Sequence, residues 1–213
     1  HHPILSQLCE KKKRAETKTE LEQLIEGHEF GYWMRTGNKS TNDITGKKYE
    51  EAFTHMKNQK RIISHARADS SIDTVKDASG KTYSISEALE KKIDWVQIDI
   101  GFLSESQKET VLEKCDYAVI NGSHTVMGEI IGIKGKPIVG IPVYDEQTNQ
   151  IQWAQEHKLG VLANNAKQLV SGIAHLQKNY DSFVDSVKQY QKNFVANGAR
   201  TTAKLAAQML ESR

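Results

Sequence analysis

Tyr117-Ala-Val-Ile-Asn-Gly-Ser-His-Thr-Val-Met-Gly-Glu129 is the stretch on which the fold turns. Four apolar, strand-suited residues stop at Asn121-Gly122-Ser123, and a helix-suited run follows from Thr125 to Ile133. Strand, tight turn and helix in that order are the repeating step of a parallel α/β sheet. The same step recurs in both directions. Upstream, strands are predicted at Phe30–Arg35, Arg61–His65 and Trp95–Ile100. Helices are predicted at Thr19–Glu26, Lys47–Asn58 and Ser86–Lys91, and after Ser104, which has Gln107 at the capping-box spacing. Thr36–Gly46 reads as a polar turn, and Ala66–Lys81 as an extended loop with room for a hairpin at Ser79-Gly80.

Downstream, Lys136–Pro142 and Gly160–Ala163 read as strands, and Gln150–Lys158 as a helix. Three helices close the chain, at Ala166–Lys178, Tyr180–Ala196 and Ala199–Ser212. About six strands alternating with helices imply a Rossmann-like, doubly wound parallel sheet with C-terminal helices. Phe183, Val184, Val187, Tyr190 and Phe194 form a stripe expected to face the core. Leu205, Met209 and Leu210 are expected on an uncovered face. Residues 1–28 read as a tag remnant (His1, His2) and an interdomain linker ending in a short helix, with the domain itself at 29–213.

The chain's 213 residues, 38% of them hydrophobic, suffice for one well-buried core. With 29 basic and 27 acidic residues, its net charge of +2 gives no field that would favour nucleic acid. No apolar run approaches the roughly 18 residues of a membrane span. Cys9 and Cys115 lie too far apart for a metal spacing and read as reduced thiols of a cytoplasmic protein. The eight histidines show no ligand spacing, so no metal site is expected. Dinucleotide, P-loop and nucleophile-elbow signatures are all missing.

Ligands of open parallel sheets bind beyond the carboxyl ends of strands. That rule selects Thr36–Ser40, Ile100–Ser104, Asn121–Thr125 and Val143–Gln150. The third loop is the most informative. Ser123, His124 and Thr125 stand where free N–H groups and the helix dipole attract an anion, and Gly122 lets a phosphate approach the backbone. Glu129 follows Thr125 by four residues, on the same helix face, where a carboxylate can accept from a ribose diol. The same spacing also suits a plain strand–turn–helix with Thr125 as cap and Glu129 in solvent.

Three ordered motifs carry a family resemblance: Cys115 to Glu129, then Gly135-Lys-Pro-Ile-Val-Gly-Ile-Pro142, then Asp145-Glu-Gln-Thr-Asn-Gln-Ile-Gln-Trp-Ala154. Together they resemble the C-terminal, donor-binding half of GT-B glycosyltransferases, in the group of the lipid-II-forming N-acetylglucosaminyltransferase and the UDP-glycosyltransferases. The resemblance implies metal-independent transfer of a hexose-type sugar from a UDP-sugar, which is the substrate; no further cofactor is expected. It places the diphosphate at Gly122, Ser123, His124 and Thr125, the ribose at Glu129, and the uracil at Phe102. Sugar hydroxyls fall to the helix-start pair Asn149 and Gln150, with Gln147 as the rival. Gly37 and Asn38 match a glycine-rich turn facing the phosphates.

Two departures from the pattern bear on the site. The intervals from Thr125 to Glu129 and from Glu129 to Pro137 are each one residue longer than in the family, which implies a bulge or wide turn in this helix. The family's Asn before Ala is Trp153 here. The catalytic base is expected in an N-terminal acceptor-binding domain or subunit, so this chain alone is expected to be inactive. Peripheral membrane association of a longer protein stays compatible with this reading. Three alternatives also stand: a UDP-sugar 2-epimerase of the same architecture, a non-catalytic donor-binding subunit, and a Rossmann-like regulatory domain.

Overall fold

A computed structural model describes residues 19–35, 39–65, 73–194, 203–204 and 207–209. The chain divides into two compact units, residues 1–119 and 120–213.

The first unit opens with α1 (Glu20–Ile25), whose Thr19 and Glu22 form a reciprocal capping box. This segment is part of the fold and not merely a linker. Leu21, Leu24 and Ile25 are buried, and the Leu24 carbonyl accepts from the buried Trp95 indole at 3.1 Å. Strands β1 (Gly31–Met34) and β2 (Arg61–Ser64) pair in parallel, with α2 (Lys39–His55) between them in sequence. The polar turn expected at 36–46 is therefore helix from Lys39 onward, and the helix stops three residues short of Asn58. Its residues are weak helix formers, but Thr41, Thr45, Tyr49 and Ala52 recur at helical spacing and all are buried. Packing outweighs propensity there, and the Thr45 hydroxyl is satisfied by the Thr41 carbonyl at 2.9 Å.

Residues 73–83 are more ordered than a loop. Strands β3 (Thr74–Asp77) and β4 (Thr82–Tyr83) form the antiparallel hairpin anticipated at Ser79-Gly80, where Gly80 has φ +87°. Asp77 fixes the turn by accepting from the Ser79 hydroxyl and from the Ser79 and Lys81 N–H groups. After α3 (Ile85–Glu90) comes β5 (Trp95–Ile100), then α4 (Glu105–Lys114), which carries the predicted Ser104–Gln107 capping box, then β6 (Tyr117–Ile120). Strand β3 runs antiparallel to β5. The sheet is thus mixed where a parallel one was expected, with β3 antiparallel both to its hairpin partner β4 and to β5. The order β4-β3-β5-β2-β1-β6 grows outward from β1 in both directions, the mark of a doubly wound sheet.

The second unit contains α5 (His124–Met127), a π-helix at Gly128–Ile133, β7 (Ile138–Gly140), α6 (Asp145–Glu156), β8 (Gly160–Leu162), α7 (Ala166–Lys178) and α8 (Tyr180–Asn193). Strands β7 and β8 are parallel. Among the described residues the two units hold eight strands, in place of the six expected. In α8, Phe183 and Val187 are buried, while Val184, Tyr190 and Phe194 are half-buried. Met209 is exposed, as expected; Leu205 and Leu210 lie outside the described residues. Among the described residues no helix is long and apolar enough to cross a membrane.

A polar chain runs through the first unit's sheet. Asp99 on β5 is buried and accepts from His65 Nε2 at 3.1 Å, Gln97 Nε2 at 2.7 Å and Lys76 Nζ at 3.2 Å. Gln97 in turn accepts from buried Arg61 at 2.8 Å. Burial pushes the Arg61 guanidinium down to about 10, where it is still charged at neutral pH. Burial alone would raise the Asp99 carboxyl, but the His65, Gln97 and Lys76 contacts outweigh it and hold the group below its ordinary range. A carboxyl lowered on folding stabilises fully above its unfolded value of about 3.9 and loses that contribution as pH falls through the folded value. Asp99→Asn is therefore expected to lower stability by about 2–5 kcal/mol at pH 7. The gap to the parent should close as pH drops below about 4 in urea unfolding followed across pH; a gap independent of pH would contradict the network.

Candidate functional site

The loop leaving β6 begins at buried Asn121 and turns at Gly122, whose φ of +87° is left-handed. A Cβ there would lie 2.5 Å from Ile151 Cδ1. Glycine is thus required by the turn and by the packing of α6. The Ile151 side chain also occupies the Cβ position of Gly140 at the end of β7. One isoleucine therefore sets α6 against the ends of two strands.

Ser123 takes the N-cap position with extended backbone, and the helix starts at His124, one residue before the Thr125 start expected. Thr125 is an exposed residue of the first turn and not the cap. No side chain caps this start, and no acidic residue lies in the first turn. The other helix starts of this unit differ. α6 carries Asp145 and Glu146 in its first turn, and α7 is capped by Asn165. Among the described helix starts of the second unit, α5 alone has neither a side-chain cap nor a carboxylate in its first turn, which leaves its first N–H groups open.

Beyond Met127 the helix widens. The Lys134 N–H bonds the Glu129 carbonyl at 2.9 Å, an i→i+5 bond, so the extra residue noticed in the sequence is taken up as a π-helix. Thr125 lies in the α-helical turn and Glu129 in the π-helix, joined through Met127 and Gly128 of ordinary right-handed helical backbone. Glu129 is half-buried. The far end of the π-helix is held by α8. Gln191 Nε2 donates to the Gly132 and Ile133 carbonyls at 3.2 Å each, and the Phe194 ring occupies the place of a Gly132 Cβ.

Asn149 and Gln150 are not at a helix start. α6 begins at Asp145, which places both in its second turn. Gln147, the rival, is buried and accepts from the Val143 N–H at 2.9 Å, so its carbonyl serves to cap the loop. His124, Asn149 and Gln150 do come together, lining a cavity of about 480 Å³ with Trp153, Tyr190 and Phe194. Gln150 Nε2 donates to Glu146 at 3.0 Å, which fixes the amide and leaves a buried Oε1 without a partner among the described residues. Trp153 packs on His157 and edge-on against Tyr190. These aromatic walls were missed in the sequence: Tyr190 and Phe194 were read as core stripe, and Trp153 only as a lost asparagine. Gly122, Ser123, Thr125 and Glu129 do not line this cavity. Phe102 lies in the first unit, in the loop after β5, and is 61% exposed. Gly37 and Asn38 lie outside the described residues. Among the described residues no three metal-binding side chains converge.

No protein-family model matches the sequence, and no curated protein matches it. Solved structures share the fold. The glycosyltransferase of kitacinnamycin is 14% identical, with 86% of this chain and 43% of that one covered at a TM-score of 0.61. Os79 from O. sativa, solved in complex with UDP, is 15% identical over 90% of this chain and 43% of its own, at 0.61. CalG4, the calicheamicin glycosyltransferase, is 12% identical over 87% and 44%, at 0.59. The chain thus has a Rossmann-like fold found within glycosyltransferases, and it spans less than half the length of these structures.

Gly122→Ala is expected to destabilise the protein by about 2–5 kcal/mol, from left-handed backbone strain together with the clash against Ile151. Adding Ile151→Val should recover part of that loss in chemical denaturation. Equal losses in the single and double variants would show that the contact is unimportant.

Proposed function

We propose that this chain is the donor-binding half of a GT-B glycosyltransferase and that the α5 start receives the diphosphate of a UDP-sugar. The observation that carries the reading is the uncapped, acid-free helix start one left-handed turn beyond β6. The shared fold supports it, as does the order of the three sequence motifs, which favours the group containing UDP-glycosyltransferases and the lipid-II-forming enzyme. N–H groups of Ser123, His124 and Thr125 would hold the phosphates. Glu129 would take the ribose, and Asn149 and Gln150 the sugar hydroxyls. A base contact at Phe102 and a phosphate contact at Gly37-Asn38 are proposed on sequence alone.

In transfer, the bond from the anomeric carbon to the departing phosphate oxygen breaks as the acceptor oxygen bonds to that carbon. Negative charge then grows on the UDP, where oriented N–H groups and the helix dipole stabilise it without reorganising. No metal is required for that role. The base that takes the acceptor proton would belong to an acceptor-binding domain or subunit.

Calorimetry with UDP and with UDP-N-acetylglucosamine tests the proposal. Thr125→Glu puts a carboxylate at the exposed first turn and should abolish binding of both. Glu129→Ala should weaken both about tenfold, the loss expected for charge-assisted hydrogen bonds, whereas Gln150→Ala should weaken the UDP-sugar and spare UDP. Absence of UDP binding up to millimolar concentration in the parent chain, or unchanged binding in Thr125→Glu, would overturn it.

A further inference from the structure

The first unit holds a second cavity, of about 620 Å³, that the donor proposal does not use. One wall is α2, which presents Gly46, Tyr49 and Phe53; the floor is the sheet, with Ile63, Lys76 and Asp99. Its size is in the range of small-molecule sites.

The group that defines its chemistry is Arg35, which follows β1. Its Nη2 lies 1.8 Å from where a Gly46 Cβ would be, so glycine at 46 makes the space that the guanidinium occupies. Arg35 Nη1 contacts His65 Nδ1 at 3.2 Å. Arginine can only donate, so Nδ1 carries the lone pair and the ring proton sits on Nε2, which donates to Asp99 at 3.1 Å. His65 thereby fixes the guanidinium in place. Asp99 is already taken by His65, Gln97 and Lys76, and among the described residues no carboxylate pairs with Arg35. Glu50 also borders the cavity, but from the exposed side of α2, where solvent screens it. Arg35 Nε is buried with no acceptor among the described residues, so the cavity is met by the rest of the guanidinium. The result is a preset guanidinium in a cavity that Tyr49 and Phe53 also line, with Arg61 already stacked on the Phe53 ring at 4.1 Å.

We propose that this cavity binds a small organic anion, with its phosphate or carboxylate on Arg35 and a ring-sized apolar body against Tyr49 and Phe53. A planar guanidinium suits either oxyanion, and the adjoining rings supply the apolar contact. The site is independent of the α5 start and stands whether or not the chain binds UDP.

Phenyl phosphate and benzoate are the probes, with inorganic phosphate for the anion alone, titrated by calorimetry and by backbone-amide NMR. At least one ring-bearing probe should bind, at least tenfold tighter than inorganic phosphate, and should shift amides of Tyr49, Phe53 and Lys76. The preference between the two probes identifies the oxyanion. Arg35→Gln should weaken binding at least tenfold. Thr54→Asp, at an exposed position on the rim, should weaken it several-fold without touching the core, which keeps the test valid if Arg35→Gln fails to fold. Thr125→Glu should leave it unchanged. The proposal is overturned by no binding of either ring probe up to millimolar concentration, by undiminished binding in Thr54→Asp or in folded Arg35→Gln, or by loss of binding in Thr125→Glu.

Discussion

Ile151 fills the space that side chains at Gly122 and Gly140 would need, and much of the second unit follows from that contact. The left-handed turn at Gly122 ends β6 and aims the chain into α5, while Gly140 ends β7 before α6. Because both glycines accept the same isoleucine, α6 lies directly against the turn. That approach is why Asn149 and Gln150, in the second turn of α6, meet His124 at the start of α5. The glycine read in the sequence as room for a phosphate thus also serves packing. The phosphate reading rests on the uncapped helix start that the turn sets up.

The π-helix is the second organising feature. An extra residue in a helix must be expelled as a loop or absorbed in the winding, and here i→i+5 bonds absorb it. Widening leaves terminal carbonyls without helical partners, and Gln191 of α8 supplies donors for two of them. Gly132 makes room for Phe194 in the same contact. Winding, cap and aromatic wall are therefore one arrangement. A change in the α8 end should be felt at the cavity shared by His124 and Gln150.

The first unit shows a different economy of charge. Asp99 shares the buried strand Trp95-Val-Gln-Ile-Asp-Ile100 with one other polar residue, Gln97. Its three donors come from β2, β3 and β5, which lie side by side only after the hairpin has returned antiparallel to β5. No spacing in the sequence announces that meeting. With Asp99 satisfied, the Arg35 guanidinium is held by His65 and, among the described residues, left without an acid of its own.

By itself the sequence determined the alternation of strands and helices, the turn at Gly122, the Ser104–Gln107 capping box and the excess residue before Pro137. These are local properties: side-chain period, a glycine at a strand end, a serine three residues before a glutamine, an interval one residue too long. Tertiary structure decided the helix beginning at Lys39, because burial of Thr41, Thr45 and Tyr49 overrode weak propensities. It decided that Gln147 caps a loop while Gln150 faces a cavity, because α6 starts at Asp145. It also decided which side chains share a pocket, since that depends on residues far apart in sequence, such as Ile151 over Gly122 and Gly140, or Gly46 beside Arg35. Local chemistry sets the order of elements, and close packing between distant residues sets what the elements bring together.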